Sequence, residues 1–252
     1  MASSLNFENL SSECRADSGD NPMVSFETGG LILRGMPRSD IFYASEEGKP
    51  KLTFKAWDAE FKLMQSQEGI RALSASLILK GCKVDPYTNK GLLFDASRVQ
   101  ITHVYKGDAG TSVNSDGTVE GDAGLLCEDL EDLKRVIAEN PNGTLAHSYN
   151  ELKINARLDA ISGLFFTIHN KSSDEYLYTK LEMLAWKKYI FEQYGRNLPV
   201  YEYERDGRLS EVDTSKEALA TSLHRLPRDR WLRGACAVMQ EYVSSRLKRT
   251  KS

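Results

Sequence analysis

No run of apolar residues in this chain approaches the roughly 20 needed to span a bilayer. The N-terminus, MASSLNFENLSSEC, lacks a basic segment followed by an apolar one, so it does not read as a secretory signal. Cysteine is scarce and scattered. Cys14, Cys82, Cys127 and Cys236 form no CxxC pair and no Cys/His set at zinc spacing, which argues for free thiols in a reducing compartment. Catalytic signatures are missing too: there is no nucleophile elbow, phosphate-binding loop, dinucleotide fingerprint or HExxH. Together these absences lead us to expect a cytoplasmic chain with no transmembrane segment, no metal and no cofactor.

What is present is ordinary in amount and uneven in placement. Hydrophobic residues make up 40% of the 252 and charged residues 27%, which suits a globular chain and argues against global disorder. The net charge is −3, but from Arg225 onward eight basic residues face two acids, a net of +6 that leaves −9 on the other 224 residues. A basic end on an acidic body points to an anionic partner for one face only.

The strongest local signal is SSDEYLYTKLEMLAWKKYIFEQYG, residues 172–195. Ser172 and Glu175 have capping-box spacing, and Leu177, Leu181, Leu184 and Phe191 fall on one helical stripe beside Met183, Ile190 and Tyr194. Gly195 stands where a left-handed terminating residue is wanted, and Pro199 follows. The pattern predicts a core helix about 33 Å long.

Before it, residues 1–22 read as a mobile polar arm and 23–106 as a β-rich half. Val24 and Phe26 alternate up to Gly29-Gly30 and Leu31-Ile32-Leu33, a hairpin pattern, and a second hairpin is expected over 41–56. Trp57, Ala59, Phe61 and Leu63 continue the alternation one residue out of phase, as after a bulge near Ala56. Leu77-Ile78-Leu79, Leu92-Leu93-Phe94 and residues 98–105 supply further strands, for an antiparallel sheet or small barrel of about six strands. The acidic, small-residue stretch 107–124 is the candidate boundary.

From 125 to 245 the period becomes helical. Leu126, Leu130, Leu133 and Ile137 mark one helix. Ile154, Leu158, Ile161, Phe165 and Ile168 mark a second, unless Gly163 stops it and LFFTI forms a strand. Val200–Glu204 reads as a short strand or an extended linker. Thr214 and Glu217 form another capping box, and Pro227 opens a last helix with Trp231, Ala235, Val238 and Tyr242 on one face. Residues 246–252 form a basic tail.

Three stretches invite chemical readings. Ser112–Ala123 aligns to a calcium loop through Asn114, Asp116, Gly117 and Glu120, but Ser112 and Ala123 stand where the anchoring aspartate and bidentate glutamate belong, so an Asp-Gly turn is the better account. Of the four histidines, His103, His147, His169 and His224, none has a catalytic partner at an informative spacing; His103, on a strand, is the first suspect for a site assembled in space. Glu128-Asp129 and Glu131-Asp132 occupy a helix's first turns, where negative charge is favourable.

The basic end is different. Arg225, Arg228, Arg230 and Arg233 crowd the start of the last helix beside Trp231, and Arg246, Lys248, Arg249 and Lys251 form a second cluster. Forked guanidinium donors match phosphate, an indole stacks on a base, and the tail resembles a nuclear-import signal. Cations at a helix N-terminus oppose its dipole, which asks for another reason for them to be there.

The fold expected is α+β: an N-terminal antiparallel β-sheet or small barrel followed by a C-terminal bundle of four to five helices. The function expected is a non-enzymatic structural or interaction protein. Its basic C-terminal face would bind nucleic acid or nucleoprotein, as a viral matrix, capsid or movement protein does by class, and its other surfaces would engage protein partners or another copy. Two alternatives stand beside this: an enzyme with a spatially assembled site around His103, and a peripheral protein that binds an anionic membrane surface through the same basic end.

Overall fold

Apolar runs too short for helices pair into one sheet, because that arrangement satisfies their backbone amides while burying both faces. A computed structural model describes residues 22–36, 42–44, 50–65, 73–86, 88–114, 118–142, 149–167, 173–204, 206–214 and 227–245. In chain order the helices are α1 (Pro22–Thr28), α2 (Lys55–Gln65), α3 (Leu130–Glu139), α4 (Asp174–Tyr194) and α5 (Arg230–Ser244). The strands are β1 (Leu31–Gly35), β2 (Phe42–Ala44), β3 (Pro50–Leu52), β4 (Leu73–Ile78), β5 (Lys90–Asp95), β6 (Gln100–Tyr105), β7 (Ser112–Val113), β8 (Val119–Glu120), β9 (Glu151–Asn155), β10 (Ile161–Phe166), β11 (Val200–Glu204) and β12 (Arg208–Glu211).

Eight strands form the main sheet in the order β12-β11-β10-β5-β1-β4-β9-β6, while β2-β3 and β7-β8 are separate ribbons. Every neighbouring pair is antiparallel except β10 and β11, which are parallel and joined by α4 as a crossover. The α+β class therefore stands, and the two longest helices both lie in the second half of the chain, roughly as expected. A barrel is not what the strands build: the order is open, from β12 at one edge to β6 at the other. Each half of the chain contributes four strands to it.

Register sorts the side chains into two faces. Arg34 lies opposite Leu92, which lies opposite Leu164, and Lys90 lies opposite Phe166. These residues meet α2 and α4: Arg34 pairs with Glu60, Lys90 with the fully buried Glu182, and the rings of Phe166 and Tyr176 lie 5.8 Å apart. The other face carries Leu33 opposite Ser76, Ser74 opposite Lys153, and Lys153 and Glu151 opposite His103 and Tyr105. Gly91 of β5 is required by close approach, since a Cβ there would stand 1.9 Å from the Arg34 carbonyl oxygen.

Helix α4 is a core helix, as its sequence predicts. Gly195 ends it at φ 68°, in the left-handed region. Its N-cap is Ser173 rather than Ser172: the Ser173 hydroxyl accepts from the Tyr176 amide at 3.1 Å, while Ser172 lies outside the described residues. Trp186 of α4 stacks on Trp57 of α2 with centroids 3.8 Å apart. The Tyr189 and Tyr194 hydroxyls both donate to Asp58 Oδ1, at 2.9 and 2.6 Å.

Three expectations are corrected. Residues 22–28 form α1, not a strand: Pro22 begins it and Phe26 is buried one turn on, a spacing that also fits alternation in so short a segment. Residues 55–65 form α2, not an out-of-phase strand. Trp57, Phe61 and Met64 are buried at helical spacing, so the slip near Ala56 marks a change of element rather than a bulge. The helix expected through Ile154, Leu158, Ile161, Phe165 and Ile168 is two strands, β9 and β10, in the interior of the sheet. Leu152 and Lys153 are buried along with Ile154, and a strand buried on both faces can match any period by chance. The alternative strand at LFFTI is realised in Leu164–Phe166 of β10, with Ile168 outside the described residues. Among the described residues, 125–245 hold three helices, and the further helix expected after Thr214 falls outside them. Residues 1–21, 215–226 and 246–252, and with them Cys14 and Glu217, also lie outside.

Candidate functional site

Helix α5 packs on α4 through Leu177, Leu181 and Ala185 against Cys236 and Met239. Contacts run in the same order along both helices: Asp174 meets Arg228, Tyr178 meets Trp231, and Lys188 meets Tyr242 and Ser245. The two helices are therefore parallel, with both N-termini at one end, where the positive ends of their dipoles lie side by side. Two carboxylates offset this. Asp229 Oδ1 caps α5 by accepting from the Leu232 amide at 2.8 Å, and Asp174 Oδ2 accepts from the Arg228 amide at 2.9 Å. At the far end Lys188 donates to the Tyr242 carbonyl, the Ser245 carbonyl and the Ser245 hydroxyl, each at 2.6 Å.

Arg228, Arg230 and Arg233 are all exposed at the shared N-terminal end, and Trp231 keeps 42% of its surface. Among the described residues none of the three guanidinium groups meets a carboxylate; Arg233 Nη2 donates to the Arg228 carbonyl at 2.9 Å. The Tyr178 ring lies 6.4 Å from that of Trp231. Of the residues singled out in the sequence, Arg228, Arg230, Trp231 and Arg233 are described and lie exposed at this end. Arg225, Arg246, Lys248, Arg249 and Lys251 lie outside the described residues. Just behind this end, burial pushes the Cys236 thiol up to about 11.

His103 is half-buried on the edge strand β6. Its Nδ1 stands 3.2 Å from the Thr102 hydroxyl, and its ring lies 6.3 Å from that of Tyr105. His147, His169 and His224 lie outside the described residues. In the stretch aligned to a calcium loop, β7 and β8 form a ribbon in which Asn114 Nδ2 donates to the Thr118 hydroxyl and to Glu120, at 2.9 and 3.1 Å; Asp116 and Gly117 lie outside. Among the described residues no group of His, Cys, Asp and Glu is placed to hold a metal. Asp129 caps α3, and Asp132 Oδ2 accepts from the Glu128 amide at 3.3 Å, so these acids serve the helix start as expected.

Sequence reasoning missed a second feature. On the face opposite α2 and α4, a cleft of about 560 Å³ opens over β1 and β4, rimmed by Asp108, Gly110 and Tyr149. Beneath it Lys153 and Glu151 are buried, 3% and 5% exposed, with Lys153 Nζ 3.4 Å from Glu151 Oε1 and donating to Ser74 Oγ at 2.6 Å. Glu151 also accepts from the Thr111 hydroxyl and, at 3.3 Å, from the Ala109 amide. Its charge, together with burial, raises the Tyr105 hydroxyl above the usual tyrosine range, burial contributing most. Asn150 Oδ1 accepts from the Leu77 amide and its Nδ2 donates to the Leu77 carbonyl, extending the ladder just before β9 begins. The available signal was a lysine and a glutamate inside an otherwise buried strand, ELKIN.

No protein-family model matches the chain, and no curated protein matches it. No described helix is long and apolar enough to cross a membrane.

Proposed function

We propose that this is a non-enzymatic interaction protein whose arginine-rich face at the start of α5 grips nucleic acid or nucleoprotein. The observation that carries the reading is the set of three exposed guanidinium groups beside a half-exposed indole, with no carboxylate among the described residues to hold them. Surface cations left free of ion pairs are available to exchange counterions with a polyanion. Trp231, flanked by Tyr178, supplies the flat surface on which an unpaired base stacks.

The test is a salt series of binding to fluorescently labelled single-stranded RNA. Affinity should fall linearly with salt on logarithmic axes, and the triple variant Arg228→Ala/Arg230→Ala/Arg233→Ala should flatten the slope by roughly 0.7 for each lost phosphate contact. Trp231→Ala should weaken binding without changing the slope. Binding that ignores salt, or that survives the triple variant intact, overturns the reading. Flotation with anionic but not neutral vesicles in the absence of RNA binding would reassign the face to a membrane surface.

A further inference from the structure

The cleft over β1 and β4 lies outside the arginine face, and its chemistry selects a different kind of ligand. We propose that it binds a small, uncharged, polyhydroxylated molecule of monosaccharide or nucleoside size, with Ser76 and Ser74 at its floor and Asp108 at its rim. Its volume, about 560 Å³, falls within the range of small-molecule sites. Ser76 lines it while only 2% exposed, and its hydroxyl has no hydrogen-bond partner among the described residues. A hydroxyl that opens only onto the cleft is available to a partner from outside the chain. Ser74 Oγ accepts from Lys153 and still has its own proton to donate.

The charges decide the class. Arg34 is occupied by Glu60, at 2.7 and 2.8 Å, and by the Ser74 carbonyl at 2.7 Å. Lys153 and Glu151 compensate each other. What remains is Asp108, exposed, with Oδ1 accepting from the Gly110 amide at 3.1 Å. Among the described residues an anion would find no uncommitted cation and one carboxylate against it. An apolar molecule would strand the serine hydroxyls. A ring bearing several hydroxyls can donate to Asp108 and exchange hydrogen bonds with Ser74 and Ser76 while a flat side rests against Tyr149.

Ligand-observed NMR and calorimetry on the full chain test this with a panel of monosaccharides, with adenosine and uridine, and with inorganic phosphate and a tetraalkylammonium salt as charged controls. The expected result is saturable binding of a sugar or a nucleoside, weakened at least about tenfold by Ser76→Ala and by Asp108→Asn, while both variants melt as the parent does. A response to sugars places a saccharide in the cleft, and a response confined to nucleosides places a ribose there. The proposal is overturned if no polyol binds saturably, if phosphate or the ammonium salt binds instead, or if Ser76→Ala leaves polyol affinity unchanged.

Discussion

On the face carrying Arg34, Leu92 and Leu164, the sheet is sealed by rings: Trp57 on Trp186, Phe54 on Tyr189 at 4.2 Å, and Phe61 on Tyr194 at 5.3 Å. On the face carrying Leu33, Ser74 and Lys153, a buried lysine and glutamate sit under an open cleft. Both faces hold polar groups at a cost. The Trp57 and Trp186 indole N–H groups are buried without an acceptor among the described residues, while Lys153 and Glu151 are desolvated charges. The difference lies in what each cost accompanies. On the ring face the penalty is incidental to large, close-packed apolar area; on the cleft face the polar groups themselves shape a concave surface. The first face is closed by stacked rings, and the second leaves a polar concavity open.

The comparison breaks most visibly at its two centres. Lys153→Met strands Glu151 in the interior and should cost about 3–5 kcal/mol in urea unfolding at neutral pH. Trp186→Ala opens a void of similar consequence, about 3–5 kcal/mol. A second substitution should separate them. Glu151→Gln added to Lys153→Met should recover part of the loss, because it removes the stranded charge, while added to Trp186→Ala it should recover none. Equal recovery in the two backgrounds would remove the contrast between the faces.

A smaller effect is expected at Asp58, which joins α2 to α4. Burial opposes its charge, but hydrogen bonds from Lys62, Tyr194 and Tyr189 outweigh that and hold its carboxyl below the usual value. A depressed folded value stabilises above the unfolded one and ceases to do so as pH falls through it. Asp58→Asn should therefore lose about 2 kcal/mol above pH ~4, with the two unfolding curves converging in stronger acid. The smallest effect is expected at Gly195, where Gly195→Ala forces a left-handed alanine and should cost about 1 kcal/mol by thermal melting.

The ring face was the more legible of the two. The stripes of α4 and its terminating glycine are local features, readable within two dozen residues. The hydrophobic runs of β4 and β5 stood out because strands covered on both sides need unbroken apolar sequence. Helix α2 was hidden by Trp57, Ala59, Phe61 and Leu63, whose alternation is as regular as its helical spacing. Strands β9 and β10 were hidden by the opposite accident. The cleft was not legible at all, since its central hydrogen bond joins residues 79 positions apart and only the register of β4 on β9 brings them together. Of the basic end, local crowding identified Arg228, Arg230, Trp231 and Arg233, but the parallel α4 that gives those residues a second dipole end depends on tertiary packing.

The grip of Lys188 on the last carbonyls of α5 fixes that helix in rotation as well as in place. A rod pinned at one tip and wedged along its side cannot roll, so the arginines about 20 Å away hold one bearing relative to the sheet. One residue inserted between Arg233 and Met239 would swing them about 100° around the axis while leaving composition, charge and the anchor untouched.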